Sequence, residues 1–440
     1  MLSRSKHRCF FKPSLSLAFW EMTSDLSWKK FYSLSLSASE RPDLPKSSIF
    51  KDRDRLLPNF PIEMYWRTLP HRERELKALW EAYAEVLDKR EGAFLRVLQI
   101  LGPAGSGKTC TMRLFGSLFE EEARRLSLKI SHVYINLKLE AGRKVVLYRS
   151  LLGKVDRNLV SASLSAEEML RLLVRYLRET GRRLLLTIDE IDYYVRRFGE
   201  EGIVYDLTRL DELTSPEPCG ILGTTFLARD RKFHELLDPA ELSSLGRTFI
   251  EFKPYTSRQI ADILERRAKE ALKPGSYSSE VLEFIADVTA SPPVNGDLRY
   301  ALDLLLYSGR LAEEEGYERI LPEHVRRVHG ETFPTITTED IQSLSEAEKA
   351  ILLAVARALR YRRAPYVSLK EIRQMAGVVF EELRMKPLED VEECLQDLHD
   401  RGIIDVRGLT RIGISGVSVE DMDRFLRTIM ERLGGGEAEA

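Results

Sequence analysis

The sequence predicts an α/β fold: a doubly covered parallel sheet, then an all-helical segment, then a C-terminal winged helix. Three observations carry this. Apolar runs alternate with amphipathic stretches from about residue 72 to residue 252, which implies a mostly parallel sheet with helices on both faces. One apolar run opens into a glycine-rich octapeptide and another ends in a cluster of acids, the positions at which open parallel sheets hold ligands. After Tyr255 the strand patterns stop and helical periods take over.

The first 50 residues hold 12 serines and four acids, Glu21, Asp25, Glu40 and Asp43, with no sustained helical or strand period. Residues 1–48 are expected to be a disordered leader, or an upstream extension of the frame with Met22 as the alternative start. The strand candidates are Phe94–Leu101, Ile130–Leu137, Arg183–Ile188, Gly220–Phe226 and Arg247–Phe252. Helical patterns lie at Arg72–Arg90, Thr109–Leu126, Ala166–Thr180 and Leu207–Leu213. The all-helical segment reads as Ser257–Leu272, Ser278–Thr289, Asp297–Glu315 and Pro322–Val328, a lid against the nucleotide. In the C-terminal region Ser345–Leu359 opens on a capping box of Ser345 and Glu348. Ser368–Met375, Leu388–His399 and the short strands Gly402–Val406 and Ile412–Val419 follow. Helices followed by a hairpin give a winged helix, whose third helix enters a major groove while the hairpin reaches the adjacent backbone or minor groove.

The expected division is a leader at 1–48, a nucleotide-binding core at 49–254, a helical lid at 255–330, a linker at 331–344, a winged helix at 345–430 and a flexible tail at 431–440. With 43% hydrophobic residues the chain can bury sizeable cores, and its net charge of −2 confines nucleic-acid contacts to local patches. The four cysteines are scattered and form neither a metal pair nor a disulfide framework, which suits a reducing, cytoplasmic setting. No apolar run of transmembrane length occurs, and no signal-peptide pattern follows Met1–Phe11.

The octapeptide Gly102-Pro-Ala-Gly-Ser-Gly-Lys108-Thr109 lies between a strand and a helix, as a phosphate-binding loop requires. Gly105, Ser106 and Gly107 let backbone N–H groups face an anion, and the helix N-terminus adds unpaired donors. Lys108 would reach the β- and γ-phosphates of ATP, or the β-phosphate of ADP, and the Thr109 hydroxyl would bind Mg2+. In Leu184-Leu-Leu-Thr-Ile-Asp189-Glu190-Ile-Asp192, Asp189 would hold the magnesium, directly or through water. Glu190 is placed to orient or deprotonate an attacking water. Asp192 either joins this group or caps the next segment.

Several motifs, in order, resemble the archaeal replication initiators of the Orc/Cdc type, members of the AAA+ ATPases. They are Ile49-Phe-Lys-Asp-Arg-Asp-Arg-Leu-Leu-Pro58 with Leu69-Pro-His-Arg-Glu73, the phosphate loop, and Ile188-Asp-Glu-Ile-Asp192. Leu237-Asp-Pro239 with Ser243-Ser-Leu245, Phe252-Lys-Pro-Tyr255 and Gly296-Asp-Leu-Arg299-Tyr-Ala-Leu-Asp-Leu304 complete the set. The resemblance runs from about Ile49 to Val419 and implies an AAA+ core with a helical lid. It implies that Tyr255 flanks the adenine base, that Arg267 contacts the nucleotide, and that Arg299 reaches the γ-phosphate from the lid. It also implies a DNA-contacting insertion after the second strand, here Leu137 to Tyr148 with Lys138, Arg143 and Lys144.

Two departures bear on hydrolysis. The family's polar residue at the end of the fourth strand aligns here with Phe226, beside Thr225, and its arginine after the Asp-Pro pair is Ala240. A slow ATPase at most is therefore expected, with nucleotide acting as a switch. The C-terminal charge runs against simple base reading: between Gly330 and Ala440 there are 15 Lys and Arg against 21 Asp and Glu. The presumed recognition helix carries Glu389, Asp390, Glu392, Glu393, Asp397 and Asp400. Arg407 and Arg411 of the hairpin, beside Gly408 and Gly413, remain candidates for DNA contact. Two readings follow. One is an ATP-binding, nucleoid-associated initiator that recognises double-stranded origin DNA and helps recruit or load the replicative helicase, alongside initiator paralogues. The other is a diverged paralogue whose acidic winged helix binds protein.

Overall fold

The computed structural model describes residues 49–61, 65–88, 94–140, 142–334, 336–386, 388 and 390–435, with side chains to residue 430. The expectations for the leader 1–48, for Glu389 and for the tail beyond residue 435 lie outside the described residues. The chain divides into two compact units: 52–272 with 282–306, and 49–51 with 273–281 and 307–435.

The larger unit starts with α1 (Glu73–Asp88), β1 (Arg96–Leu101), α2 (Lys108–Arg125) and β2 (Ile130–Asn136). The short α3 (Leu137–Glu140), α4 (Lys144–Val155) and α5 (Ala166–Thr180) lead to β3 (Arg183–Asp189). Then come α6 (Ile191–Phe198), α7 (Ile203–Thr208), β4 (Ile221–Ala228), α8 (Pro239–Leu245), β5 (Phe249–Glu251) and α9 (Ser257–Ala271). The strands form one sheet in the order β2-β3-β4-β1-β5, and every pairing is parallel. β4 is buried at all its positions and β3 at all but its first, so both are apolar on both faces, as a sheet covered twice requires. One apolar layer joins Leu151, Leu173, Leu186, Ile188 and Phe226; the other joins Tyr83, Phe115, Phe119, Leu185 and Leu222.

Four departures from the sequence reading stand out. The fourth strand does not end at Phe226: it runs on to Ala228, and Phe226 is fully buried within it beside Ile188. Thr225 is also internal, its hydroxyl 2.7 Å from that of Tyr83. The stretch after β2, expected as a DNA-contacting insertion and assigned no helix, forms α3 and α4, because Leu147, Tyr148, Leu151 and Leu152 form a buried face. The fourth helical pattern is shifted: α7 ends at Thr208, and Leu210–Leu213 is a 3-10 turn.

α10 (Ser279–Ala290) and α11 (Leu298–Glu314) follow, the unit boundary passing within each. The second unit continues with α12 (Pro322–Thr332), α13 (Thr338–Gln342), α14 (Glu346–Arg362), α15 (Leu369–Glu382) and α16 (Val391–Asp400). β6 (Asp405–Val406) pairs antiparallel with β7 (Ile412–Gly413), and Val367 bridges to Ile412. This is the helix, helix, helix, hairpin order of a winged helix. The second short strand was expected to reach Val419. Instead α17 (Val419–Gly435) starts there, its apolar stripe of Val419, Met422, Leu426 and Met430 buried on the α14 core.

Within this unit Arg326 of α12 is fully buried. Its Nε donates to the Ile414 carbonyl at 2.7 Å, and Nη2 donates to the carbonyls of Ala364 and Pro365 at 2.9 and 3.0 Å. Gly330, one turn on, is backed against the Gly416 carbonyl so closely that a side chain there would overlap it. α12 is therefore joined to the hairpin region by a buried guanidinium that satisfies three carbonyls. Arg326→Met strands those carbonyls and is expected to cost about 3 kcal/mol of stability, measured by urea unfolding.

Burial holds the imidazoles of His132 and His329 near a pKa of about 4 rather than 6.5. The folded chain prefers both rings neutral, so the unfolded chain takes up protons first as pH falls. Their contribution is complete above pH 6.5 and is lost as pH drops from 6.5 towards 4, up to about 3 kcal/mol for each ring. Urea midpoints across that range are expected to fall in the wild type, and less steeply in His329→Gln.

Candidate nucleotide site

β1 leads into the phosphate loop, and α2 begins at Lys108 with Gly107 as its N-cap at φ 86°. Gly105 has φ 66°, so both glycines occupy a region that other residues reach only with strain. Space forbids side chains too: a Cβ at Gly105 would overlap the Asp297 side chain, and one at Gly107 would lie 2.7 Å from the Tyr255 hydroxyl.

The loop is held from outside by Arg72, to which sequence reasoning assigns a place in the entry motif and at the start of a helical pattern but no role at the site. It is 4% exposed. Its Nε donates to the Ser106 carbonyl (2.9 Å), Nη2 to the Lys253 carbonyl (2.8 Å) and Nη1 to Glu75 (2.9 Å). The guanidinium also lies 3.9 Å from the centre of the Tyr255 ring. Tyr255 is thus packed between Arg72 and the loop backbone, and burial pushes its hydroxyl up to about 12. It is not among the residues that line the cavity beside the loop.

That cavity is lined by Gly105 to Cys110, by the apolar side chains of Pro58, Phe60, Trp66, Ile263 and Leu302, and by Arg267 and Arg299. Arg267 is 3% exposed, with Nη2 bonded to the Leu57 carbonyl at 3.1 Å and Nε buried without a partner. Burial brings its pKa down to about 10. Lys108 folds onto the carbonyls of Gly102 and Pro103 at 2.5 and 3.0 Å. Burial lowers its pKa; Asp189 and Glu190 work against the shift and Arg299 adds to it. Three cations thus converge on one apolar-walled cavity, with an orphaned donor among them.

At the carboxyl end of β3, Asp189 is a hub. Its Oδ2 accepts from Thr109 Oγ1 and from the Tyr134 hydroxyl, each at 2.7 Å, and its Oδ1 accepts from the Glu190 N–H at 2.8 Å. Glu190 caps α6 at φ 61°; burial, and then the neighbouring Asp189, push its carboxyl above the usual range. Asp192 is 2% exposed with Oδ1 unpartnered and Arg196 3.4 Å from Oδ2, so it is buried in the site rather than exposed as a cap.

The residue that leaves β4 towards this site is Arg229, three places beyond Phe226. Its carbonyl accepts from Gly102 N–H at 3.1 Å, and its Nη2 lies 3.9 Å from Glu190 Oε2. Sequence reasoning missed it because the apolar run of β4 carries no register; the Arg229-Asp230 pair directly after the run was the available signal. Ala240 is exposed on α8, where Asp238 accepts from its N–H.

The expected DNA residues fall in both units. Lys144 is committed to ion pairs with Glu167 (3.0 Å) and Asp206 (3.8 Å), while Lys138 and Arg143 are exposed. Arg407 and Arg411 flank the hairpin turn, the Arg407 N–H bonded to the Arg411 carbonyl at 2.8 Å, and Arg411 lies over the Tyr366 ring. The turn's tip, Leu409, is 71% exposed, and its carbonyl is tied to Leu369 N–H at 2.8 Å. The outer face of α16 is acidic, with Glu393, Asp397 and Asp400 exposed.

A parallel sheet in this order, a phosphate loop after β1 and paired acids after β3 define an AAA+ protein. An AAA domain model matches residues 96–237, and a Cdc6 AAA+ ATPase-type lid domain model matches residues 261–330. The ORC1-type DNA replication protein 1 of Sulfolobus acidocaldarius is 34% identical over 318 residues, 72% of this chain and 75% of that protein. That of Sulfurisphaera tokodaii is 30% identical over 372 residues, 84% and 88% of the two chains. Among solved structures, Cdc6p from Pyrobaculum aerophilum superposes with a TM-score of 0.74 at 28% identity, covering 88% of this chain and 99% of that one. The Aeropyrum pernix ORC1 protein in complex with DNA gives 0.56 at 28% identity, covering 87% and 100%. The chain belongs to the archaeal Orc/Cdc6 family of AAA+ DNA replication initiators.

Arg72→Lys keeps the charge but cannot bridge Ser106, Lys253 and Glu75 together. It is expected to lower the affinity of the loop for a fluorescent adenine nucleotide by about tenfold or more, read by titration.

Proposed function

We propose that this protein is a nucleotide-switched replication initiator that grips origin DNA and helps recruit or load the replicative helicase. The observation that carries the nucleotide half is the convergence of Lys108, Arg299 and the half-satisfied Arg267 on a cavity with apolar walls. A triphosphate suits the cations, and a purine suits Phe60, Trp66 and Ile263. Thr109 Oγ1 and Asp189 Oδ2 are hard oxygen donors already 2.7 Å apart, and they would hold Mg2+. The ion held there would supply positive charge against the phosphates. Lys108 and Arg299 bind and orient the phosphates, and Glu190 orients or accepts a proton from a water. With Ala240 offering no cation to a neighbouring site, hydrolysis is slow and ATP acts mainly by holding a conformation.

The DNA half rests on the family and on the hairpin. Arg407 and exposed Leu409 sit on a turn pinned to the start of α15, a basic tip with an apolar point suited to a groove edge. The acidic outer face of α16 repels phosphates, so contact is assigned to the hairpin and to Lys138 and Arg143 rather than to base reading by α16. That same acidic face favours the second reading, a paralogue that binds protein through α16.

Fluorescence anisotropy on DNA from beside its own gene, with a scrambled duplex and a salt series, separates the two. The initiator reading expects selective binding that falls with salt at a slope near −0.9 per phosphate contact and weakens in Arg407→Ala. Weak binding equal on both duplexes would overturn it in favour of the protein-binding paralogue.

A further inference from the structure

We propose that the arginine-lined cleft at the amino ends of β3 and β4 docks α16 of a second copy of this chain. The inference goes beyond the nucleotide and DNA readings above.

The cleft has a volume of about 940 Å³ and lies between α5 and the segment that leads into β4. Arg183, which lines it, begins β3, and Asp189 of the nucleotide site ends that strand, so the two sites lie about 20 Å apart. Arg171, Arg175 and Arg178 stand at i, i+4 and i+7, on one face of α5. Arg178 is paired with Glu217 on the facing wall, and the Arg182 guanidinium lies 5.9 Å from the centre of the Tyr176 ring. Arg171 and Arg175 are exposed and take part in no hydrogen bond or salt bridge among the described residues. Like charges one turn apart on a helix repel, and an anionic partner relieves that repulsion.

The chain carries a face that matches. Glu393, Asp397 and Asp400 stand on α16 at the same i, i+4 and i+7 spacing, and all three are exposed. Asp400 accepts from Gln396 Nε2 at 2.7 Å, while the carboxylates of Glu393 and Asp397 take part in no hydrogen bond or salt bridge among the described residues. The opposite face of α16, with Val391, Leu395 and Leu398, is buried in the core of its own unit, so docking leaves that packing in place. Each helix thus presents two unpaired charges about 6 Å apart along its axis, with a third one turn on. Arg175 meets Asp397 in parallel and antiparallel docking alike, because each is the middle member of its row. An α-helix is about 10 Å across with its side chains, so the cleft seats one face of α16 rather than the whole helix. A nucleic acid suits the cleft less well. Glu179 and Glu217 line it and repel a phosphate backbone, whereas Gln396 and His399 stand among the α16 acids and offer N–H groups to such carboxylates. The two faces differ, so the contact is heterologous and either closes as a reciprocal pair or continues as a row. Exposed ion pairs are individually weak and screened by salt, which makes this a low-affinity assembly that salt disperses.

Sedimentation velocity of the full chain, without nucleotide or DNA, tests this over a series of protein concentrations. The wild type is expected to associate at about 50 mM salt and to be monomeric at about 1 M, where screening acts within about 3 Å. Arg175→Glu and Asp397→Arg each set like charges against one another, at exposed positions that leave the fold intact. Each alone is expected to weaken association about tenfold or more. An equimolar mixture of the two variants is expected to regain wild-type association, because each cleft then finds a helix of opposite charge. A wild type that stays monomeric at every concentration in low salt overturns the inference. Association undiminished in both single variants does so too, as does a mixture that stays monomeric. A monomer that binds scrambled duplex and loses it in Arg175→Glu overturns it in favour of a phosphate track.

Discussion

The nucleotide site depends on one buried cation, Arg72. In the phosphate loop Gly105 and Gly107 sit at positive φ, which glycine adopts freely, and the loop carbonyls still need hydrogen-bond partners. Something outside must satisfy them. Arg72 does so at Ser106 while bonding Lys253 and Glu75 and lying on Tyr255. Taking a guanidinium out of water costs several kcal/mol, which only a full set of acceptors offsets. Here the set comes from three separate segments, so the bonds that offset the burial also fix the loop against the segment that follows β5. The site is preorganised by packing that no nucleotide touches.

What the sequence could disclose follows from how each element is patterned. β1, the loop and α2 were legible because a buried strand, a glycine turn and an amphipathic helix differ from one another at every position. α5 was legible to the residue because Ser165 and Glu168 close a capping box and Gly181 ends the helix at positive φ. β4 was legible as a strand but not in its extent. A strand buried on both faces has no alternation, so nothing in Gly223-Thr-Thr-Phe226-Leu-Ala228 says which residue emerges at the sheet edge. The resemblance then settled on Phe226, three residues early, and Arg229 went unread. α4 and α17 were hidden otherwise: family expectation covered the first, and a hairpin reading ran through Ser418, which caps the second.

The second unit shows why charge totals mislead. Its acids outnumber its bases, yet the acids are not evenly placed. Asp423 is buried under Arg357, Arg360 and Arg427 and ties α14 to α17, and Glu382 pairs with Arg357 and ties α14 to α15, so those carboxylates carry packing rather than a surface field. Glu393, Asp397 and Asp400 face outward together on α16, and Arg407 and Arg411 flank the hairpin turn. A net charge describes neither surface; which charges are already spent on packing does.

The same reasoning applies at the loop with the opposite result. Lys108, Arg299 and Arg267 are drawn together without enough acceptors: Lys108 falls back on loop carbonyls, and Arg267 leaves a nitrogen unbonded. Asp189 does not discharge them, because its oxygens are taken by Thr109, Tyr134 and the Glu190 backbone. Glu190 is loosely held and has its ordinary charge disfavoured by burial. Cations kept apart from carboxylates close at hand form a folded state that gains free energy when a polyanion arrives. A structure built only for stability would have closed those pairs, as the α14–α17 interface does with Asp423. That they stay open at the loop, in the same chain and from the same residue types, is the physical mark of a site whose missing partner is an anion.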